Sequence, residues 1–182
     1  MRNRRWIPIA AALAFLVPAL AQQAERLAPF VPSPQMVVER MLEVADVKPG
    51  ETVYDLGCGD GRILIAAARE FRAKAVGVEL SEPLVKQGRE QVRRLGLENR
   101  VTIVQGDLMQ ADLRPADVVT VYLLTEANDQ LRPLFERSLH RGARVVSHDF
   151  RIRGWKPERV DEVVVSGRAH KIYVYLMPPH KG

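Results

Sequence analysis

The chain has 182 residues and a formal charge of +5, from 27 Lys and Arg against 22 Asp and Glu. This length fits one ordinary domain, and a composition with 47% hydrophobic and 27% charged residues excludes a wholly disordered chain. A single cysteine excludes an internal disulfide framework and any cysteine-based zinc cluster.

Residues 1–21 have the layout of a secretory signal peptide. Arg2, Arg4 and Arg5 form a basic start, residues 6–21 form an apolar run, and that run ends in the small-residue pattern Ala-Leu-Ala. The run is shorter than a membrane-spanning helix and contains two prolines. We expect a cleaved leader with export to the periplasm, or an uncleaved anchor that associates with a membrane through residues 6–21. An anchored catalytic domain could also face the cytoplasm.

Residues 22–33 form a polar linker with two prolines, and residues 34–182 are predicted to form one folded domain. Ser33 followed by Pro34 predicts the cap and first turn of a helix. Further helices are predicted at 62–71, 83–95 and 126–139. In the helix at 83–95, the residues expected to face inward are Leu84, Gly88, Val92 and Leu95. Strands are predicted at 52–56, 75–80, 101–105, 117–124, 143–147, 160–165 and 171–177.

Apolar strands that alternate with amphipathic helices predict a mostly parallel sheet covered by helices on both faces. The last two strands are joined only by a short turn at Ser166 and Gly167, so they are predicted to form an antiparallel hairpin. The sequence therefore predicts an α/β domain with a seven-stranded sheet.

The segment with the clearest chemical signal connects the first strand to the helix at 62–71. Gly57, Gly59 and Gly61 alternate there, which allows sharp turns and a close ligand approach at the start of a helix. This G-x-G-x-G spacing differs from the G-x-G-x-x-G pattern of dinucleotide sites. Asp55 precedes the loop; it would repel phosphate but suits a ligand with an ammonium group.

Two more acidic residues follow the next two strands. Glu79, at the end of the second strand, can accept both hydroxyls of a ribose. Asp107 follows the third strand, where it can meet the exocyclic amine of an adenine. In this order, the residues predict an adenosine ligand with a cationic amino-acid tail.

This pattern resembles the class I S-adenosylmethionine-dependent methyltransferases, whose Rossmann-like fold has the same sheet. The resemblance implies S-adenosyl-L-methionine as cofactor and S-adenosyl-L-homocysteine as product. It places Glu79 at the ribose and Asp107 with Leu108 at the adenine. Five residues would surround the methionine moiety: Asp55, Gly57, Cys58, Gly59 and Gly61. Cys58 itself is expected to be a small loop residue and not a nucleophile.

Other stretches are similar to a narrower family. Residues 31–38, the loop with Arg62, residues 116–124 and residues 144–150 resemble the small lysine N-methyltransferases that modify the adenine nucleotide translocase and a subunit of ATP synthase. This similarity implies a protein lysine as methyl acceptor. Two alternatives stay open: a methyltransferase of a small or lipid-like molecule, and a non-catalytic module that binds an adenosine ligand.

Candidate catalytic residues end the fourth and fifth strands. Tyr122 could line the acceptor channel, or it could be a core tyrosine. His148 and Asp149 could accept a proton or orient the amine, although for His148 a structural, hydrogen-bonded role is favoured over that of a general base. Trp155 could cover the substrate or fill the core beneath the terminal hairpin.

No metal site is expected, because the histidines at 140, 148, 170 and 180 lack ligand spacing. Nucleic acid is not expected as a partner either. The arginines in residues 89–94 are interpreted as a solvated helix face, without an array of stacking aromatics. Without residues 1–21, the charge falls to about +2, so the net charge no longer favours nucleic acid. The chain has no sizeable insertion between its strands that could enclose a small molecule, which favours a protein substrate.

Overall fold

The structure is a computed structural model that describes residues 31–181. The predicted leader and most of the linker lie outside the described residues. The four helices of the described part are α1 (Gln35–Val44), α2 (Arg62–Glu70), α3 (Glu82–Arg94) and α4 (Thr125–Ser138). The strands are β1 (Thr52–Leu56), β2 (Lys74–Glu79), β3 (Val101–Gln105), β4 (Val118–Val121), β5 (Arg144–His148), β6 (Trp155–Lys156), β7 (Arg159–Val165), β8 (Arg168–Leu176) and β9 (His180–Lys181).

Seven strands form one sheet in the order β3-β2-β1-β4-β5-β8-β7. The first five are mutually parallel, and β8 pairs antiparallel with both β5 and β7. This confirms the predicted α/β fold, the seven-stranded sheet and the antiparallel C-terminal hairpin. The strand order changes direction beside β1, and the loops after β1 and β4 therefore border the crevice where open α/β sheets bind ligands.

Helices cover both faces of the sheet, as predicted. One buried apolar cluster joins α1, α2 and α3 to one face, and a second joins α4 to the other. The strands are apolar in nearly continuous runs because both faces are covered; all four residues of β4 are buried. This burial fixes the strand ends that carry the polar residues of the site.

Three local predictions were wrong. The predicted strand at 117–124 ends at Val121, because Leu123 reaches the core from a loop and Leu124 already caps α4. Ser33 does not cap α1: Pro34 occupies that position, and the Ser33 hydroxyl faces His148 instead. In the third helix, Val85 is buried where the prediction had Leu84, and Leu95 lies exposed after the helix end.

A second, two-stranded sheet pairs β6 with β9. The sequence did not predict it, because strands of two residues show no alternation of apolar and polar positions. A short 3₁₀ helix at Leu108–Gln110 was also missed. Within residues 31–181, no helix has the length and hydrophobicity needed to cross a membrane.

Gly77 provides a test of how tightly the glycine loop packs on the sheet. A Cβ atom at this position would lie 2.5 Å from both Cys58 Sγ and Leu64 Cδ1. Gly77→Ala is therefore expected to lower the free energy of unfolding by about 1–3 kcal/mol, measured by urea denaturation. Gly106→Ala is the control, since a Cβ atom added there would have no other atom within 4 Å. Equal stabilities of the two variants would contradict this packing.

Candidate functional site

The loop between β1 and α2 turns three times through the left-handed region. Gly57, Gly59 and Gly61 have φ angles of 80°, 54° and 81°, which favour glycine over every other residue. Gly61 is the N-cap of α2 and offers no side-chain cap. The Arg62 amide at the start of α2 donates to Asp60 Oδ1 at 3.3 Å, whereas Gly61 itself adds no capping side chain. The glycine loop therefore presents backbone to the crevice.

Asp55 lies beside this loop at the end of β1, with 3% of its surface exposed. Thr120 of β4 donates a hydrogen bond from its hydroxyl to Asp55 Oδ1 at 2.7 Å. The pKa of Asp55 is raised to about 7: burial is the main cause, the Thr120 hydrogen bond opposes it, and the nearby charges of Glu79 and Asp60 add to the rise. The sequence analysis missed Thr120, which becomes a neighbour only because β1 and β4 pair.

Glu79 faces the same loop from the end of β2. Its Oε2 atom accepts a hydrogen bond from the Gly59 amide at 2.9 Å, and its Oε1 atom accepts one from the Ser81 amide. Asp55, Asp60 and Glu79 thus surround the loop with three carboxylates, here called the carboxylate cluster. Only Asp60 has an ion-pair partner in the described part of the chain, Arg62 at 2.6 Å.

Asp107 and Leu108 follow β3. The Asp107 carboxylate accepts a hydrogen bond from the Met109 amide at 2.9 Å and so caps the short 3₁₀ helix. The Gly106 amide donates to the Glu79 carbonyl, which fixes this turn against the end of β2. Asp107 and Glu79 therefore project from neighbouring strand ends, as their predicted roles require.

These residues fit S-adenosyl-L-methionine. Asp55 is a buried carboxylate with a raised pKa, and it lies beside two further carboxylates without a cationic partner of its own among the described residues. This cofactor can supply positive charge there, because it carries both an ammonium and a sulfonium group. The positive φ angles of the loop leave no Cβ to block its approach. Glu79 and Asp107 would hold the ribose and adenine, and Asp55 would face the cationic tail.

Cys58 lies in the loop but has no reactive character. Its side chain is buried, and burial together with the charges of Asp55 and Glu79 raises the pKa of the thiol far above neutrality. The thiolate form is therefore absent near pH 7, in agreement with a packing role.

Tyr122, His148 and Asp149 meet at the carboxyl ends of β4 and β5. The Tyr122 ring stacks on the His148 ring with 3.8 Å between centroids, and Phe150 lies 6.1 Å from Tyr122. His148 is fully buried, and burial lowers its pKa to about 4, so the ring is neutral at pH 7. The catalytic roles of these three residues stay predictions.

The lead-in to α1 connects the two halves of the site. Arg62, the first residue of α2, donates a hydrogen bond to the Ser33 carbonyl at 2.8 Å. The Ser33 hydroxyl lies 2.9 Å from His148 Nδ1. Both residues lie in the stretches that are similar to the lysine N-methyltransferases, but the sequence alone assigned neither of them a role in the site.

His170 of β8 lies beside His148, with its Nδ1 atom 2.9 Å from His148 Nε2. His148, Asp149 and His170, here called the histidine cluster, have donor atoms that all lie within 4.8 Å of one another. The spacing argument against a metal site overlooked this group, because antiparallel pairing of β5 and β8 brings together residues that are 22 positions apart.

Trp155 belongs to the core. Its ring packs between Phe135 and Tyr175, and its Nε1 atom donates to Glu136 at 2.9 Å. Of the two predicted roles, the structure supports the core plug beneath the terminal hairpin.

Comparison with known proteins identifies the family. Residues 55–159, which include the carboxylate cluster and Tyr122, His148 and Asp149, match the family described as ANTKMT methyltransferase domain. A protein named protein-lysine N-methyltransferase from Saccharolobus islandicus is 46% identical over 84% of this chain and 96% of that protein. The chain belongs to the ANTKMT methyltransferase family.

Two further relatives of this methyltransferase are informative. The adenine nucleotide translocase lysine N-methyltransferase of Mus musculus is 36% identical over 72% of this chain, and the match spans only 57% of that relative. The crystal structure of an RNA methyltransferase from Salinibacter ruber, in complex with S-adenosyl-L-homocysteine, has a TM-score of 0.77 and 44% identity over 84% of this chain and 97% of that one. The names agree on methyl transfer and differ on the acceptor.

The raised pKa of Asp55 predicts a pH-dependent stability of the cofactor-free methyltransferase. The folded state holds a proton on Asp55 up to about pH 7, whereas the unfolded state loses it near pH 4. The stability that this group contributes is therefore present below about pH 4 and is lost as the pH rises to about 7, by at most roughly 1.4 kcal/mol per pH unit.

Urea denaturation of the wild type and of Asp55→Asn between pH 5 and 8 tests this effect. As the pH rises to about 7, the free energy of unfolding of the wild type is expected to fall relative to that of the variant. Above about pH 7, the difference between the two should stay constant. Thr120→Val, which removes the hydrogen bond to the carboxylate, should extend the loss to higher pH. A difference between wild type and Asp55→Asn that is constant with pH would contradict the raised pKa.

Proposed function

We propose that this methyltransferase transfers a methyl group from S-adenosyl-L-methionine to the Nζ atom of a lysine in a protein substrate. The observation that carries the proposal is the 46% identity with a protein-lysine N-methyltransferase over nearly the whole of that relative. The translocase methyltransferase of Mus musculus, also named for lysine, supports it.

On the cofactor side, the chain contributes charge and shape. When bound, the sulfonium group supplies the methyl, so that the S–C bond breaks as the N–C bond to lysine forms. Asp55 and Glu79 bind cationic and hydroxyl groups of the cofactor, and the glycine loop allows close contact. Orientation of the two reactants in this way can supply roughly 7–11 kcal/mol of the barrier reduction.

On the acceptor side, the nucleophile must be a neutral amine, because an ammonium group has no lone pair. Tyr122 and Phe150 are both half-buried at the end of β4 and after β5, and they give the acceptor an aromatic surface. A partly desolvated, aromatic environment favours the neutral amine over the ammonium.

An RNA acceptor is the second candidate, because the Salinibacter ruber protein is named an RNA methyltransferase. The arginines of α3 do not favour it. Arg89 donates two hydrogen bonds to the Ile103 carbonyl, and Arg93 pairs with Glu90. Two of the cations that could contact phosphates are thus already engaged within the fold, and outside residues 1–21 the chain is nearly balanced in charge.

An assay with methyl-labelled cofactor separates the candidate acceptors. The full chain is incubated with extract from its own source, and the products are divided and treated with protease, with ribonuclease, or by lipid extraction. We expect label that is sensitive to protease and resistant to ribonuclease, with methylated lysine found by mass spectrometry. Asp55→Asn is the control and should incorporate at least tenfold less label.

Label that is lost on ribonuclease treatment would contradict the lysine proposal and support RNA. Label in the lipid phase would support a lipid-like substrate. Cofactor binding without transfer to any fraction would indicate a non-catalytic binding module.

For the leader, we propose that residues 1–21 bind the membrane surface without crossing it. The catalytic domain then stays in the cytoplasm, together with the cofactor. The 16-residue apolar run is shorter than the ~20 residues of a spanning helix. Three arginines, Trp6 and the lack of acidic residues in this segment suit the interface of an anionic leaflet.

Cell fractionation with N-terminal sequencing tests this placement. We expect the full chain in the membrane fraction with Arg2, Arg4 and Arg5 retained, and a chain that lacks residues 1–21 in the supernatant. A periplasmic protein whose sequence starts at Gln22 would overturn the proposal and establish a cleaved signal peptide.

A further inference from the structure

We propose that His148, Asp149 and His170 form a binding site for a divalent transition metal ion such as Zn²⁺ or Co²⁺. The site lies where β5 ends beside β8 and is separate from the carboxylate cluster.

The backbone brings the three ligands together. His148 is the last residue of β5 and pairs with Ile172 of β8, two residues beyond His170. Asp149 follows with a φ angle of 59°, and this left-handed turn directs its carboxylate back towards β8. There the Lys171 amide donates a hydrogen bond to Asp149 Oδ1 at 2.9 Å, which leaves Oδ2 facing the two imidazoles.

The distances between the donor atoms match one face of a tetrahedral site. His148 Nε2 lies 2.9 Å from His170 Nδ1 and 3.4 Å from Asp149 Oδ2, and His170 Nδ1 lies 3.2 Å from that same oxygen. Ligands held at 2.0–2.1 Å from a tetrahedral zinc ion are about 3.3 Å apart. To hold an ion, the distance between His148 Nε2 and His170 Nδ1 therefore has to increase only slightly from 2.9 Å.

The protonation of the cluster also suits a metal. Two ring nitrogens 2.9 Å apart can hold only one proton between them, so at least one of them has a free lone pair that a metal ion could accept.

The surroundings fix the ligands in the way that metal sites require. The second nitrogen of His148, Nδ1, has the Ser33 hydroxyl at 2.9 Å, and Tyr122 stacks on the ring. Such contacts set the tautomer and the orientation of a metal-binding histidine. Among the described residues, Arg168 is the Lys or Arg side chain within 4.0 Å of the Asp149 carboxylate, at 3.3 Å from Oδ2; it is 65% exposed and can turn into solvent.

Spectroscopic titration with Co²⁺ tests the site directly. The full chain is freed of metal by a chelator, and CoCl₂ is added while the visible absorption of four-coordinate Co²⁺ is followed. We expect one Co²⁺ per chain, displaced by Zn²⁺. His170→Ala and Asp149→Asn should weaken binding by roughly a hundredfold or more, and Ser33→Ala by roughly tenfold.

His140→Ala is the matched control, because His140 is exposed and pairs only with Asp117 and the adjacent Arg141 carbonyl among the described residues. It should bind Co²⁺ as the wild type does. Circular dichroism verifies the fold of each variant, and His170→Gln replaces His170→Ala if the latter is unfolded.

Absence of the Co²⁺ absorption band, or binding that survives in every folded His170 variant, would overturn the proposed site. Cofactor affinity of the metal-free protein, measured in parallel, reports on the proposed function separately. A metal-free protein that still binds cofactor and transfers methyl would leave the function intact even if the metal site failed.

Discussion

The site depends on a buried carboxylate for which the fold supplies no positive partner. Asp55 is placed at the end of β1, between the glycine loop and β4, and its one strong contact is the 2.7 Å hydrogen bond from Thr120. A hydrogen bond from a neutral hydroxyl offsets only part of the cost of burying a carboxylate, and Glu79 and Asp60 add like charge. A cationic ligand supplies the missing charge, so the same feature that weakens the empty fold favours binding.

The peptide that leads into α1 links this cofactor side to the acceptor side. Arg62 is oriented by its ion pair with Asp60 and holds the Ser33 carbonyl, while the Ser33 hydroxyl reaches the buried ring of His148. A side chain from before the first helix therefore stands between the loop and the end of β5.

Sequence reasoning succeeded where the signal was local. The positions of the glycine loop, Glu79 and Asp107 at one edge of the sheet could be predicted because each ends or directly follows a strand, and the strand ends of a parallel sheet share one edge. Thr120 could not be found in this way, since its role depends on the register that sets it opposite Asp55. Ser33 and His170 were missed for the same reason: they are 115 and 22 residues from His148 in sequence.

Calorimetry of cofactor binding at pH 7, in two buffers that differ in ionisation enthalpy, tests the central role of Asp55 most directly. With a pKa of about 7 in the free protein, Asp55 is half protonated, and a cationic ligand should expel that proton. We predict release of about half a proton per cofactor bound at pH 7, nearly one at pH 6, and none in Asp55→Asn. Binding without proton release, or the same release in Asp55→Asn, would contradict this role.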